Sequence, residues 1–243
     1  MPFRNLLVKE VKGIFPLFAV FALLVVVIDL LVMAKSIYVK KETIVIITTL
    51  TPFLFISFIA LGVGYYQLFT EWRTNSIYLL LSLPMRGWKL LTAKLVALLG
   101  LLLLTLLWIA LSFCLIILRT VWSDVDADNI VPMLLNLGMY AFVIYVLLVV
   151  FVLSALQFAF LCGQFVSRLR WLVVLGVFFA VMWLYARVSP VISGWLLWLP
   201  DFNLGSLETD MVYLHSGPYV VMLLAIVGLV GLSGYLFEKE VEV

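Results

Sequence analysis

The chain of 243 residues is 66% hydrophobic and 12% charged, with a mean hydropathy of +1.27. Soluble domains are close to half apolar and a quarter charged, so this composition excludes a water-soluble globular protein and calls for lipid as the solvent. A formal net charge of +2 without a dense basic cluster gives no nucleic-acid-binding surface.

A helix rises 1.5 Å per residue, so the hydrocarbon core of about 30 Å takes about 20 apolar residues per crossing. Six stretches reach or approach that length: Ile14–Ala34, Ile44–Phe69, Leu95–Leu118, Leu134–Cys162, Trp171–Val188 and Pro218–Phe237. They predict an all-α integral membrane protein of six transmembrane helices, forming one domain over residues 1–243. Ahead of the first span, Phe3, Leu6, Leu7 and Val11 alternate at helical spacing with Arg4, Lys9, Glu10 and Lys12. That pattern fits an amino-terminal helix lying in the interface, or a solvated tail. The first span lacks a small-residue cleavage site and reads as a retained anchor.

Asp29 is the one acidic residue within a predicted span, about one and a half turns from its outer end. It is a candidate intramembrane polar site, or a carboxylate that reaches headgroups and water. The connection from Thr70 to Lys94 reads TEWRTNSIYLLLSLPMRGWKLLTAK. Thr74 or Ser76 is suited to cap a short helix running to about Ser82, and Pro84 disfavours helical geometry at Leu83. Arg86, Trp88 and Lys89 suit the membrane interface where the chain re-enters. The segment therefore predicts a short helix lying crosswise beneath the membrane.

Further along, Asp124, Asp126 and Asp128 alternate like the start of a calcium loop, but Asn129 and Leu135 stand where Gly and Glu are needed, so no metal site is expected. Between Ser189 and Gly217, Trp195 and Trp198 suit interfacial anchoring, and the loop is open to either a shallow half-helix or an ordinary surface loop. Gly228, Gly231 and Gly234 recur in the last span and permit close helix packing. Cys114 and Cys162 fall inside or beside spans and read as small apolar residues. A single histidine excludes HExxH, and neither GxSxG nor a Walker phosphate loop is present, so no catalytic or cofactor-binding residue is assigned.

Ten of the 15 basic residues fall on one side: Arg4, Lys9, Lys12, Arg73, Arg86, Lys89, Lys94, Arg168, Arg170 and Lys239. Cytoplasmic loops carry the basic excess, so both termini are expected in the cytoplasm. The lysines Lys35, Lys40 and Lys41 on the outer side run against that trend.

The segment between spans two and three resembles the type-2 ABC-transporter permease family. In that family an acidic residue and a Thr precede a Leu-Ser-Leu-Pro-like element, a basic residue and a Lys entering the third span. Here these are Glu71, Thr74, Leu81 to Pro84, Arg86 and Lys94. The amino-terminal Leu6-Leu7-Val8-Lys9-Glu10, the six spans and the terminal Phe237-Glu238-Lys239-Glu240 are similar in layout. The resemblance implies a coupling helix that docks on a separate cytoplasmic ABC ATPase, which carries ATP and Mg, while this chain hydrolyses nothing. It implies an exporter subunit of a bacterial plasma membrane that forms half the pathway and pairs with a second copy or a related permease. Unlike the large polysaccharide exporters of that family, no further cytoplasmic domain is expected. The coupling residues so implied are Glu71, Arg73, Thr74, Asn75, Leu83, Pro84 and Arg86. A non-transporting membrane sensor, scaffold or assembly subunit is the alternative.

Overall fold

The computed structural model describes residues 2–34, 43–44, 46–74, 87–120, 127–166, 169–204 and 212–241. Its helices are α1 (Pro2–Ala34), α2 (Thr51–Arg73), α3 (Gly87–Thr120), α4 (Ala127–Gln164), α5 (Arg170–Trp195) and α6 (Gly217–Val241). Each contains a window long and apolar enough to cross a membrane. The chain is a multi-pass membrane protein.

Hydropathy marks where a helix meets lipid, not where its backbone hydrogen bonds end, and α1 illustrates the difference. Its 33 residues form one unbroken helix about 50 Å long, continuous through Pro16. The segment expected as an interfacial helix or a tail is helical and runs without a break into the first span. Its buried residues explain the continuity: Leu6, Glu10, Ile14, Phe18, Phe21, Val25 and Asp29 follow one another at intervals of three or four and make a single stripe. The opposite side exposes Val20, Leu23, Leu24, Leu30 and Leu31, as a lipid-facing surface must.

A π-helical turn, Ile46–Leu50, runs directly into α2. Pro52 has no N–H to give the Thr48 carbonyl and its ring crowds that turn, which accounts for the widened helix. The Thr48 hydroxyl donates to the Ile44 carbonyl at 2.8 Å. Along α3 the buried positions Leu91, Lys94, Leu98, Leu101, Leu102, Thr105, Leu106 and Ile109 recur once per turn. In α5, by contrast, only Val174 and Ser189 are buried.

After α5 the chain turns through Trp195 and Trp198, each 78% exposed, and enters a two-stranded antiparallel ribbon of β1 (Asp201–Leu204) and β2 (Val212–His215). Asp201 pairs with His215 and Leu204 with Val212. The ribbon lies in the connection for which either a shallow half-helix or an ordinary surface loop is expected, and the rest of the described chain is helical. The Asp201 carboxylate and His215 Nδ1 lie 2.8 Å apart and tie its open end.

The described residues fall into two compact units, one of residues 1–63 and 96–127, the other of 64–95 and 128–243, with the division running through α2 and α3. In the second unit α6 crosses the start of α3 at two glycines. A Cβ on Gly234 would lie 2.5 Å from the Trp88 Cβ, and one on Gly87 would lie 2.7 Å from the Phe237 ring. Gly228 and Gly231 have nothing that close, so only one of the three recurring glycines is used for packing.

Candidate functional site

Within the second unit, the end of α2 and the start of α3 carry the charged residues that the sequence singled out. Glu71 lies in the last turn of α2, and Lys94 lies two turns, about 10 Å, inside α3. Their side chains meet at 2.6 Å, with Lys94 1% and Glu71 12% exposed. A buried ammonium is tolerable only when its charge is matched at hydrogen-bonding distance, and Glu71 supplies that match. The sequence reading offers Glu71 to a partner surface; in the structure it also meets Lys94.

Arg73 closes α2 with its side chain exposed. Thr74 follows, and both its N–H and its hydroxyl donate to the Thr70 carbonyl, at 2.9 and 2.8 Å. Thr74 thus helps to satisfy the carboxyl end of α2, and the helix that Thr74 or Ser76 is suited to cap lies outside the described residues. Asn75, Ser76, Leu83, Pro84 and Arg86 lie outside the described residues, and with them the expected crosswise helix. Asp124 and Asp126 lie outside them too.

The re-entry point is also held. The Gly87 N–H, at the amino end of α3, donates to Glu238 Oε1 at 2.9 Å. A carboxylate there satisfies one of the free N–H groups of the helix and favourably meets its dipole. Together with the Gly234–Trp88 approach, this fastens α3 to the carboxyl end of α6, while the Glu71–Lys94 pair fastens it to α2.

Beside this base, α2, α4 and α5 enclose a cavity of about 250 Å³. Tyr65, Phe69, Trp72 and Arg73 come from α2, Phe160 and Gln164 from α4, and Arg170, Trp171 and Val174 from α5. Tyr65 stands edge-on to Phe160 at 5.5 Å and stacks on Phe69 at 6.0 Å, giving an aromatic floor. The walls are set by a tight turn. Leu169 adopts left-handed geometry at φ 57°, and Val174 packs so close to Gly163 that a Cβ there would sit 2.5 Å from it. Arg170 donates from Nε to the Val166 carbonyl at 3.2 Å and from an Nη to Gln164 at 3.4 Å. Neither Arg73 nor Arg170 has a carboxylate partner among the described residues.

Of these lining residues the sequence reading gives a coupling role to Arg73, and it counts Arg170 among the basic residues that set the orientation. The available signal was the repeated Trp-Arg or Arg-Trp pair at span ends, Trp72-Arg73 and Arg170-Trp171, whose members are far apart in the chain.

Asp29, in the first unit, closes the buried stripe of α1 and is only 7% exposed, so it does not reach into water as its place near the helix end allowed. The Ser112 hydroxyl of α3 is beside it but donates to the Ile109 carbonyl at 3.0 Å. Neither carboxylate oxygen has a hydrogen-bond donor among the described residues.

Comparison with protein-family models and with curated proteins finds no match to this chain.

Proposed function

We propose that this chain is the membrane subunit of an ATP-driven exporter, forming half of a translocation pathway and taking its motion from a separate cytoplasmic ATPase. The observation that supports this reading most is the fastened base of the 75–86 connection. Its two ends are joined by the buried Glu71–Lys94 pair, and its returning end is held to α6 by Gly87 and Glu238. A force applied to such a connection is carried into three spans, α2, α3 and α6, and is not lost in a slack loop. With the basic excess on the cytoplasmic side, the connection faces that compartment, as do both termini.

The chain alone is expected to hydrolyse no ATP, and when expressed with its neighbouring genes it should copurify a second polypeptide that does. The contacts to the ATPase that this reading calls for include Leu83 and Arg86 of the connection. Leu83→Asp combined with Arg86→Glu should weaken the association or uncouple hydrolysis from export, because interfaces tolerate misplaced charge poorly. Reversal of Asp128 serves as the control. A correctly folded chain that binds no ATPase, and whose native complex ignores the paired substitution, would replace this reading with a sensor or scaffold subunit.

A further inference from the structure

We infer that the cavity between α2, α4 and α5 is a binding site for the headgroup of an anionic phospholipid from the leaflet at the basic end of the molecule. This rests on the cavity alone and stands whether or not the chain is an exporter subunit.

Three observations converge. First, the site presents positive charge without compensation. Arg73 makes no ion pair or hydrogen bond among the described residues, and the bonds of Arg170 go to a backbone carbonyl and to Gln164, leaving most of its guanidinium N–H groups unused. Two guanidinium groups facing one cavity ask for an acceptor with several charged oxygens, which a phosphate provides. Second, the site lies where a headgroup lies. Arg73 ends one span and Arg170 begins another, each beside a tryptophan of the kind that settles at headgroup level. Third, the cavity is amphipathic and small. Its floor of Tyr65, Phe69 and Phe160 is apolar, and Phe69 and Trp171 are exposed at its side, so an acyl chain leaves it along the lipid-facing surface and not through water. At about 250 Å³ it falls below the size of a site that engulfs a whole drug-sized ligand, and it suits a headgroup whose tails remain in the bilayer.

The test is native mass spectrometry of the full chain released from micelles carrying phosphatidylglycerol and phosphatidylcholine with identical acyl chains. Phosphatidylglycerol should be retained preferentially. A basic residue near an anionic surface contributes about a factor of five, so two arginines give a preference of roughly thirtyfold. Arg73→Gln with Arg170→Gln should abolish it, and Arg73→Gln alone should lower it about fivefold, which keeps the test intact if the double variant folds poorly. Arg73→Lys with Arg170→Lys should keep most of it. Arg187→Gln, which removes the guanidinium lying 5.7 Å over Trp183 elsewhere on α5, should change nothing. Inorganic phosphate and glycerol phosphate are added separately. If either displaces the lipid at millimolar concentration, the site serves a soluble phosphate compound and the lipid proposal fails. It fails equally if the folded glutamine variants keep the preference.

Discussion

Glu71 and Asp29 are both carboxylates at the edge of a span, both largely buried, and they stand in opposite electrostatic situations. Glu71 meets an ammonium at 2.6 Å, whereas both oxygens of Asp29 lack a donor among the described residues. Burial is therefore a poor guide to what an acidic residue contributes in a membrane protein. The partner decides whether the charge holds helices together or only tolerates its place.

The largest effect should come from separating the first pair. Lys94→Met removes the ammonium that meets the buried Glu71 carboxylate and is expected to lower stability by about 3–5 kcal/mol. Adding Glu71→Gln to Lys94→Met should restore most of the loss, since a neutral, well-filled contact can replace a buried pair at little cost. Thermal unfolding in detergent measures both. Equal stability of Lys94→Met and the parent would show that the pair holds nothing together, and would remove the fastened base on which the transport reading depends.

Gly234 probes the same base without touching charge. An added methyl at Gly234 would press on the Trp88 backbone, and overpacking of this kind costs about 1–3 kcal/mol. Gly228→Ala, with open space around it, should be neutral or slightly stabilising through its greater helix propensity. Similar outcomes for both would mean that α6 does not cross α3 at Gly234.

These contrasts mark where the sequence is legible. The six spans are visible because a bilayer imposes a minimum apolar length, and each predicted stretch overlaps one of the helices. The true ends were not visible: α1 begins at Pro2 and α4 at Ala127, since polar residues extend a helix into the interface without breaking its hydrogen bonds. Glu71 was recognised as special, but its pairing with Lys94 depends on how α2 turns against α3, which no local pattern encodes. The same holds for Arg73 and Arg170, which share a cavity although 96 residues separate them. The short ribbon escaped because two four-residue strands offer too little alternation to stand out beside two tryptophans and an acidic stretch.

The smallest effect, and the sharpest test of the comparison, belongs to Asp29. A carboxylate on a packed stripe with no donor among the described residues contributes little attraction to lose, so Asp29→Asn should change stability by less than about 1 kcal/mol. Asp29→Leu should leave stability unchanged or raise it by on the order of 1 kcal/mol, because it removes a polar group with no hydrogen-bond donor and continues the apolar stripe of Phe18, Phe21 and Val25. If Asp29→Asn instead destabilised the chain as strongly as Lys94→Met does, while Asp29→Glu did not, a cationic partner would have to exist and the contrast with Glu71 would collapse. Stability alone does not exhaust the question, since an intramembrane carboxylate that costs free energy and holds nothing together is a candidate for work on cargo. Export measured for the same variants separates the cases. Unchanged stability with lost export in both Asp29→Asn and Asp29→Leu would assign the charge itself to function. Unchanged stability with unchanged export would leave Asp29 as a residue that the helix end tolerates at a cost.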